Sequence, residues 1–335
     1  MATINDICKK VGVSKATVSR AISGNGKVKE STREAIFKAM EELNFRPNSF
    51  AQALATNRSN SIGLVLPDFD GHYFGSLLKQ ATQAAEKTGK QLIVTDGHND
   101  AEQEKEAVHF LSDRRCDVII LYSRKLSVEE IIALKNSVTP PIIVVGRSLP
   151  EDVGYSISFD HSQASILAVE HLISQGHKRI AYLGPHRKTP TTKLRFSAYQ
   201  QTLEKHGLEL NEDLHFYCEN FKLKHGYEKA KDMIAADLPI TAIFAASDDI
   251  AIGAMKAFRE AGYQIPEDIS VIGIDNEEVS TYVIPALTTV DLPIQEMTRQ
   301  ALASAQELLE KKELSNRSQT FSGRLIQRES VKKLN

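Results

Sequence analysis

The sequence predicts a small helical head followed by a larger α/β core of two lobes built on parallel sheets. Three observations predict it. Residues 1–60 show helical periodicity interrupted by short polar turns, with no strand pattern. From Ile62 onward, short apolar runs alternate with amphipathic stretches over roughly 270 residues, more than one sheet organises. Charge divides at the same place: residues 1–60 hold ten Lys/Arg against five Asp/Glu, a net +5, while the rest holds 31 against 38, a net −7. A basic head on an acidic body is the electrostatic signature of a nucleic-acid-binding module joined to something else. A helical bundle with solvated lysines would share that charge, so the residues of the head have to decide.

Thr3 and Asp6 form a capping-box pattern, followed by Ile4, Ile7 and Val11 at helical spacing. Gly12 can take the positive φ of a very tight helix–helix turn, and Ser14 can cap the next helix by accepting from its free N–H groups. That second helix puts Val18 and Ala21/Ile22 on one face. Lys15, Ala16, Thr17, Ser19 and Arg20 are left on the other, a small cationic face suited to the major groove. Its hydroxyls and Lys15 suit phosphates, and Arg20 can make a bidentate bond to guanine. The pattern is a helix-turn-helix. After the loop Ser23-Gly24-Asn25-Gly26, Ser31-x-x-Glu34 reads as a second capping box, and Ile36, Ala39/Met40 and Leu43 form the buried stripe of a third helix.

Arg46-Pro47-Asn48 stops the third helix. Asn48 can cap one more amphipathic segment through Phe50, Ala51 and Leu54, too short to be stable in isolation, and Asn57–Ser61 reads as linker. Pattern alone leaves two readings open: a helix ordered only by a partner, or a permanent helix packed on the body.

In the core, strands are expected at Ile62–Leu66, Leu92–Thr95, Val118–Tyr122, Ile142–Gly146, Ile180–Leu183, Ile243–Ala246 and Ser270–Ile274. Helices are expected near 74–88, 101–113, 127–136, 162–175, 194–206, 225–236, 247–261 and 294–312. Continuous apolar strands alternating with helices make parallel sheets covered on both faces. Ligands of such sheets bind beyond the carboxyl ends of the strands. The residues there are Asp68 to Phe74 (Tyr73 included), Asp96, Tyr122, Arg147, Asp160, Ser247/Asp248 and Asp275.

Other functions find little support. Met1–Ile7 has no apolar secretory region and no later run approaches a membrane span, so a cytoplasmic protein without membrane contact is expected. Cys8, Cys116 and Cys218 lie far apart without metal-ligand spacing and are expected as buried free thiols. Gly24-x-Gly26-Lys27 has Ala21 and Val28 where a phosphate loop needs Gly and Ser/Thr. There is no G-x-G-x-x-G after a strand, no H-E-x-x-H and no nucleophile elbow. Asp96, His98 and Asp100 alternate as metal ligands might, yet read more simply as a solvated loop. No metal, cofactor or enzymatic activity is expected. A binding protein that only carries a small ligand would need an export signal and would have no use for a basic three-helix head.

Three separated motif groups carry a resemblance. Thr3-Ile4-x-Asp6-Ile7 with Val11-Gly12-Val13-Ser14-x-x-Thr17-Val18-Ser19-Arg20 resembles the head of the LacI/GalR family of bacterial transcription regulators. Arg46-Pro47-Asn48-x-x-Ala51-Gln52-x-Leu54 is similar to its hinge. Gly176-His177-Lys178-Arg179-Ile180-Ala181, Ser247 to Ala254 and Ser270-Val271-Ile272-Gly273-Ile274-Asp275 resemble body signatures in matching order. Similarity in the body points to the branch that governs galactoside and β-glucoside operons.

The resemblance implies a head over 1–47, a hinge helix and linker over 48–60, and an effector-binding and dimerisation core over 61–335, two-lobed like periplasmic sugar-binding proteins. It implies a repressor that binds a pseudo-palindromic operator in double-stranded DNA as a homodimer and is controlled by a sugar or sugar derivative in the cleft. Lys15, Ala16 and Arg20 fall on base-reading positions, and Thr3, Ser14, Thr17, Ser19 and Lys27 on or near phosphate-contacting ones. Asn48, Ala51 and Leu54 place the hinge on DNA, with Leu54 the apolar wedge that opens a base step in the minor groove. That favours the conditional hinge helix. In the cleft, Arg195 matches an arginine that holds sugar hydroxyls, Asp275 an acid beside it, and Phe221 a ring against the sugar face. Ser247 stands where some relatives have Asn, and Gly146 where many have Asp. Tyr73, Phe74, Tyr122, Arg147 and Asp160 are further candidates for effector contact. The chain ends at Asn335 without the leucine-heptad tail of tetrameric members, so a dimer is expected.

Overall fold

The structure, a computed structural model, describes residues 2–23, 26–45, 59–69, 71–310, 312 and 316–334. It divides into two compact units, Met1–Asn60 and Ser61–Asn335.

The first unit holds α1 (Ile4–Val11), α2 (Lys15–Ser23) and α3 (Glu30–Glu42). The carboxylate of Asp6 accepts from both the N–H and the hydroxyl of Thr3, at 2.8 Å each. Gly12, at φ 74° and ψ 32°, ends α1 in the left-handed region. Two residues on, the Ser14 hydroxyl accepts from the Thr17 N–H at 3.2 Å and opens α2. Ile7, Val18, Ala21, Ile36, Ala39 and Met40 form the buried core.

Two expectations need correction here. Ser31 and Glu34 do not form a capping box. Lys29 is the N-cap, its carbonyl already accepting from the Thr32 and Arg33 N–H groups at 3.0 Å each, so Ser31 lies inside the first turn. Cys8 packs on the head core only partly buried, because it sits at that core's edge, whereas Cys116 and Cys218 are buried.

The second unit is doubly wound. Its first lobe runs β1 (Ser61–Leu66), α4 (His72–Lys87), β2 (Gln91–Asp96), α5 (Ala101–Asp113), β3 (Val118–Tyr122), α6 (Val128–Ser137), β4 (Ile142–Val145) and β5 (Tyr155–Phe159). The second lobe runs α7 (His161–Ser174), β6 (Ile180–Pro185), α8 (Pro190–Lys205), β7 (His215–Cys218), α9 (Leu223–Ala235), β8 (Ala242–Ala245), α10 (Asp248–Glu260), β9 (Ser270–Asp275) and β10 (Thr288–Asp291). The chain then returns to the first lobe with α11 (Ile294–Leu309) and β11 (Ser318–Phe321), and ends in the second with β12 (Arg324–Ile326).

Among the described residues each lobe has one six-stranded sheet, ordered β11-β5-β4-β3-β1-β2 and β12-β10-β9-β8-β6-β7. Every pairing is parallel except β10 with β12. Leaving out β11 and β12, the order is the same in both lobes, so each switches direction beside its first strand, between β1 and β3 and between β6 and β8. Crevices for ligands open at such switch points.

The sequence expectation missed β5, β7 and β10 to β12, which are short, rich in hydroxyls or at sheet edges. It also started α8 four residues late. Thr189 caps that helix, accepting from the Thr192 N–H at 3.3 Å, with Pro190 in its first turn, which places Arg195 well inside the helix. Helices α9 and α10 cross at Gly226 and Gly253, where an added Cβ would collide with the Ile250 and Leu223 carbonyls of the opposite helix.

Candidate functional site

A cavity of about 340 Å³ lies where the strand ends of the two lobes face each other. On the first-lobe side, Tyr73 and Phe74 come from the first turn of α4 and Tyr122 from the end of β3. Their rings meet edge to face, with centroids 5.1 to 6.1 Å apart. The Tyr73 and Tyr122 hydroxyls are 3.1 Å apart. Burial, with Tyr122 beside it, pushes the Tyr73 phenol well above its ordinary range, so it stays protonated.

The second lobe supplies the polar wall. Arg195 is buried: one Nη donates to the Ala246 carbonyl, the other to Asp275 Oδ1 at 3.2 Å and to His161 Nδ1 at 3.4 Å. Its Nε is buried and has no hydrogen-bond partner among the described residues. Asp275, at the end of β9, holds the unusual φ of 121°. Burial raises its carboxyl to about 6, against the opposing pull of Arg195. Burial and the same guanidinium lower His161 to about 3, so its imidazole is neutral and Nδ1 accepts from Arg195. Phe221 lies over this pair, its ring centroid 5.7 Å from the Arg195 guanidinium carbon. Ser247 caps α10 by accepting from Ile250 N–H at 3.3 Å. At the mouth, Lys222 of the second lobe pairs with Asp68 of the first at 3.6 Å.

Buried behind Ser247, Asp248 accepts from the Thr289 hydroxyl at 2.5 Å and the Glu277 N–H at 2.9 Å. Burial, with Asp275 adding to it, raises Asp248 to about 7 and Glu277 to about 8. Planar donors, an acceptor carboxylate and stacking rings around a part-apolar cavity are the elements that hold a polyhydroxylated ring.

The cavity brings together Tyr73, Phe74, Tyr122, Arg195, Phe221, Ser247 and Asp275. Arg147 and Asp160, also expected to contact the effector, are not among the residues that line it. Arg147 turns away and donates to the Leu126 carbonyl at 2.5 Å, while Asp160 is consumed in capping α7, accepting from Gln163 N–H at 2.9 Å. Arg124, His161, Thr191, Asn220, Asp249 and Glu277 also line the cavity and were missed. Reading two residues past each strand end would have found Arg124 and Glu277. His161 stands beside Asp160. The Asp96–Asp100 stretch is a turn, with Asp96 accepting from His98 N–H at 2.7 Å and Asp100 capping α5. Among the described residues no group of three His, Cys, Asp or Glu is placed to hold a metal, and no helix is long and apolar enough to cross a membrane.

On the head, Thr3, Ser14, Lys15, Ala16, Ser19, Arg20 and Lys27 are exposed, and Thr17 is half-buried with its hydroxyl 3.0 Å from that of Ser14. Arg20 folds back along α2, its Nε donating to Ala16 O at 3.1 Å. Asn48, Ala51 and Leu54 lie outside the described residues.

Comparison with known proteins agrees with both halves. Residues 3–48 match the family described as bacterial regulatory proteins, lacI family, and residues 169–331 a periplasmic binding protein-like domain. The chain is 39% identical over 333 residues to the HTH-type transcriptional regulator AscG of Escherichia coli (strain K12), covering 99% of this chain and 98% of that one. It is 33% identical over 331 residues to the HTH-type transcriptional regulator GalR of the same organism, covering 99% and 96%. A solved structure of the lac repressor dimer bound to operator and the anti-inducer ONPF matches with a TM-score of 0.89 at 27% identity, covering 99% of both chains. The chain therefore belongs to the lacI family of bacterial regulatory proteins, and it is a DNA-binding regulator rather than an enzyme.

Proposed function

We propose that this protein is a cytoplasmic, homodimeric repressor whose affinity for a pseudo-palindromic operator is set by a sugar or sugar derivative in the 340 Å³ cavity. One observation carries the reading: a single chain combines an exposed cationic α2 behind the Gly12 turn with a two-lobed cleft whose switch points converge on Arg195 and Asp275. Lys15, Ala16 and Arg20 read bases. Thr3, Ser14, Thr17, Ser19 and Lys27 hold phosphates, and Asn48, Ala51 and Leu54 carry the hinge onto the minor groove. Arg195, Asp275 and Ser247 take the hydroxyls of the effector, with Phe221 and the Tyr73–Phe74–Tyr122 cluster against its apolar faces. No metal or cofactor takes part.

Ligand that binds the closed and open clefts unequally shifts the population of lobe arrangements, and operator affinity changes with it by a coupling of typically about 1–3 kcal/mol. Operator must then change ligand affinity by the same factor. The test compares the full chain with a version lacking residues 1–58, using an operator fragment selected from random duplex DNA by the full chain. The shortened protein should keep sugar-induced thermal stabilisation and lose salt-sensitive DNA binding. Unchanged operator affinity after the deletion would refute the reading.

A further inference from the structure

Among the described residues, Arg124 is a cation of the cleft whose guanidinium touches aromatic rings and has no hydrogen-bond acceptor. It follows Tyr122 by two residues, on the loop between β3 and α6. That loop is fixed from behind by Glu104, a buried residue of α5. Its carboxylate accepts from the Ser123 hydroxyl at 2.7 Å and from the N–H groups of Arg124 and Lys125 at 3.0 and 3.2 Å. The guanidinium carbon of Arg124 is 4.9 Å from the ring centroid of Phe74, 5.8 Å from that of Tyr122 and, across the cleft, 5.5 Å from that of Phe221. Rings hold a guanidinium flat without engaging its N–H groups. Among the described residues, no carboxylate, carbonyl or hydroxyl accepts from it.

The other charges of the cavity are already engaged. Arg195 pairs with Asp275, Lys222 with Asp68, and Lys224 with Glu228 at 3.6 Å on its own helix. Asp249 has a partner of its own, and burial keeps Glu277 largely protonated at neutral pH. A fixed guanidinium with its donor fork open toward a cavity is built to receive an oxyanion in bidentate fashion.

We propose that Arg124 is a ligand-binding residue that makes the cleft prefer a sugar bearing an oxyanion, a phosphate ester or a carboxylate, over the same sugar without one. The proposal rests on the sugar reading of the cleft and deepens it. Arg195 and Asp275 hold the ring hydroxyls, and Arg124 holds the charged end.

The test is calorimetric titration of the full chain with glucose, galactose, their 6-phosphates, glucuronate, galacturonate, phenyl β-glucoside and inorganic phosphate. At least one charged sugar should bind ten-fold or more tighter than its neutral parent and than inorganic phosphate. Whether that is the 6-phosphate or the uronate identifies the oxyanion. Arg124→Gln should bring the ratio of charged to neutral affinity near one, and Arg124→Lys should recover part of it. Melting temperatures of the variants separate lost recognition from lost folding. Three outcomes overturn the proposal: a ratio unchanged in Arg124→Gln, phenyl β-glucoside or a neutral sugar binding best, or inorganic phosphate binding as tightly as the sugar phosphate. If no sugar in the panel binds while operator does, the sugar reading of the cleft fails together with it.

Discussion

Tyr122 occupies the space that a side chain on Gly146 would need: a Cβ built there stands 2.5 Å from Cζ and 2.6 Å from Cε1 of the tyrosine ring. Gly146 also has φ 85°, a region L-residues avoid. The ring displaced by any larger residue is the one that packs against Phe74 and Tyr73 at the first-lobe wall. Gly146→Ala should therefore destabilise the core by about 1–3 kcal/mol from overpacking, with roughly 1 kcal/mol more from the backbone. The check is a double-mutant cycle in thermal unfolding: in a Tyr122→Ala background Gly146→Ala should cost at least about 1 kcal/mol less.

Arg195 is bonded to a backbone carbonyl, to Asp275 and to His161 at once. Arg195→Met should abolish sugar-induced stabilisation and should also lower stability by about 3–5 kcal/mol, because it strands Asp275 in a buried site. Adding Asp275→Asn to Arg195→Met should return part of the stability but none of the ligand response. Melting scans with and without sugar measure both.

Ligand affinity should depend on pH through Asp275, whose carboxyl is raised by burial to about 6. Only the ionised form accepts from ligand hydroxyls on all its lone pairs. Affinity should thus fall several-fold between pH 7 and pH 5, and titration of an Asp275→Asn variant should show weak binding with that dependence removed.

Asp248 gives stability the opposite slope. Its carboxyl rises from an ordinary 3.8 to about 7, chiefly through burial. Between about pH 4 and pH 7 the unfolded chain has released this proton while the native chain retains it. This group's contribution therefore diminishes as pH rises through that window. Buried His161 acts oppositely below its ordinary 6.5, so the comparison must be internal. Relative to the unsubstituted chain, Asp248→Asn should gain melting temperature on going from pH 5 to pH 8, by a few degrees.

On the head, Arg20→Ala should cost about 1–3 kcal/mol of discrimination at one operator base pair. Lys27→Ala should weaken binding to all sequences alike and reduce the salt slope by about one. Competition binding at several salt concentrations distinguishes the two.

The head and the doubly wound core were legible in the sequence because their signals are local. Gly12 and Ser14 mark a turn, and runs such as Val118–Tyr122 are apolar throughout. What escaped was assembled over distance. In β5, Ser156 and Ser158 look solvent-facing, yet they are buried because Ser148, Ser318 and Thr320 supply hydroxyl partners at 2.8 to 3.2 Å, two of them about 160 residues away. Arg147 and Asp160 stood at strand ends, as ligand residues do, and only the positions of Leu126 and Gln163 show that both are engaged elsewhere. The family resemblance pointed to Arg195 and Asp275. Arg124 could have been found two residues past the end of β3, but its place between Phe74 and Phe221 needs the fold.

Both sheets take an edge strand from residues 318–326: β11 closes against β5, and β12 against β10. A ribosome making this protein therefore releases the head before residues 318–326, and neither lobe has its full sheet until those residues emerge. A chain broken off before Ser318 carries the whole head yet lacks an edge strand in both lobes. The order of synthesis thus makes the operator reader before the sensor, and loss of residues 318–326 strikes control before it strikes recognition.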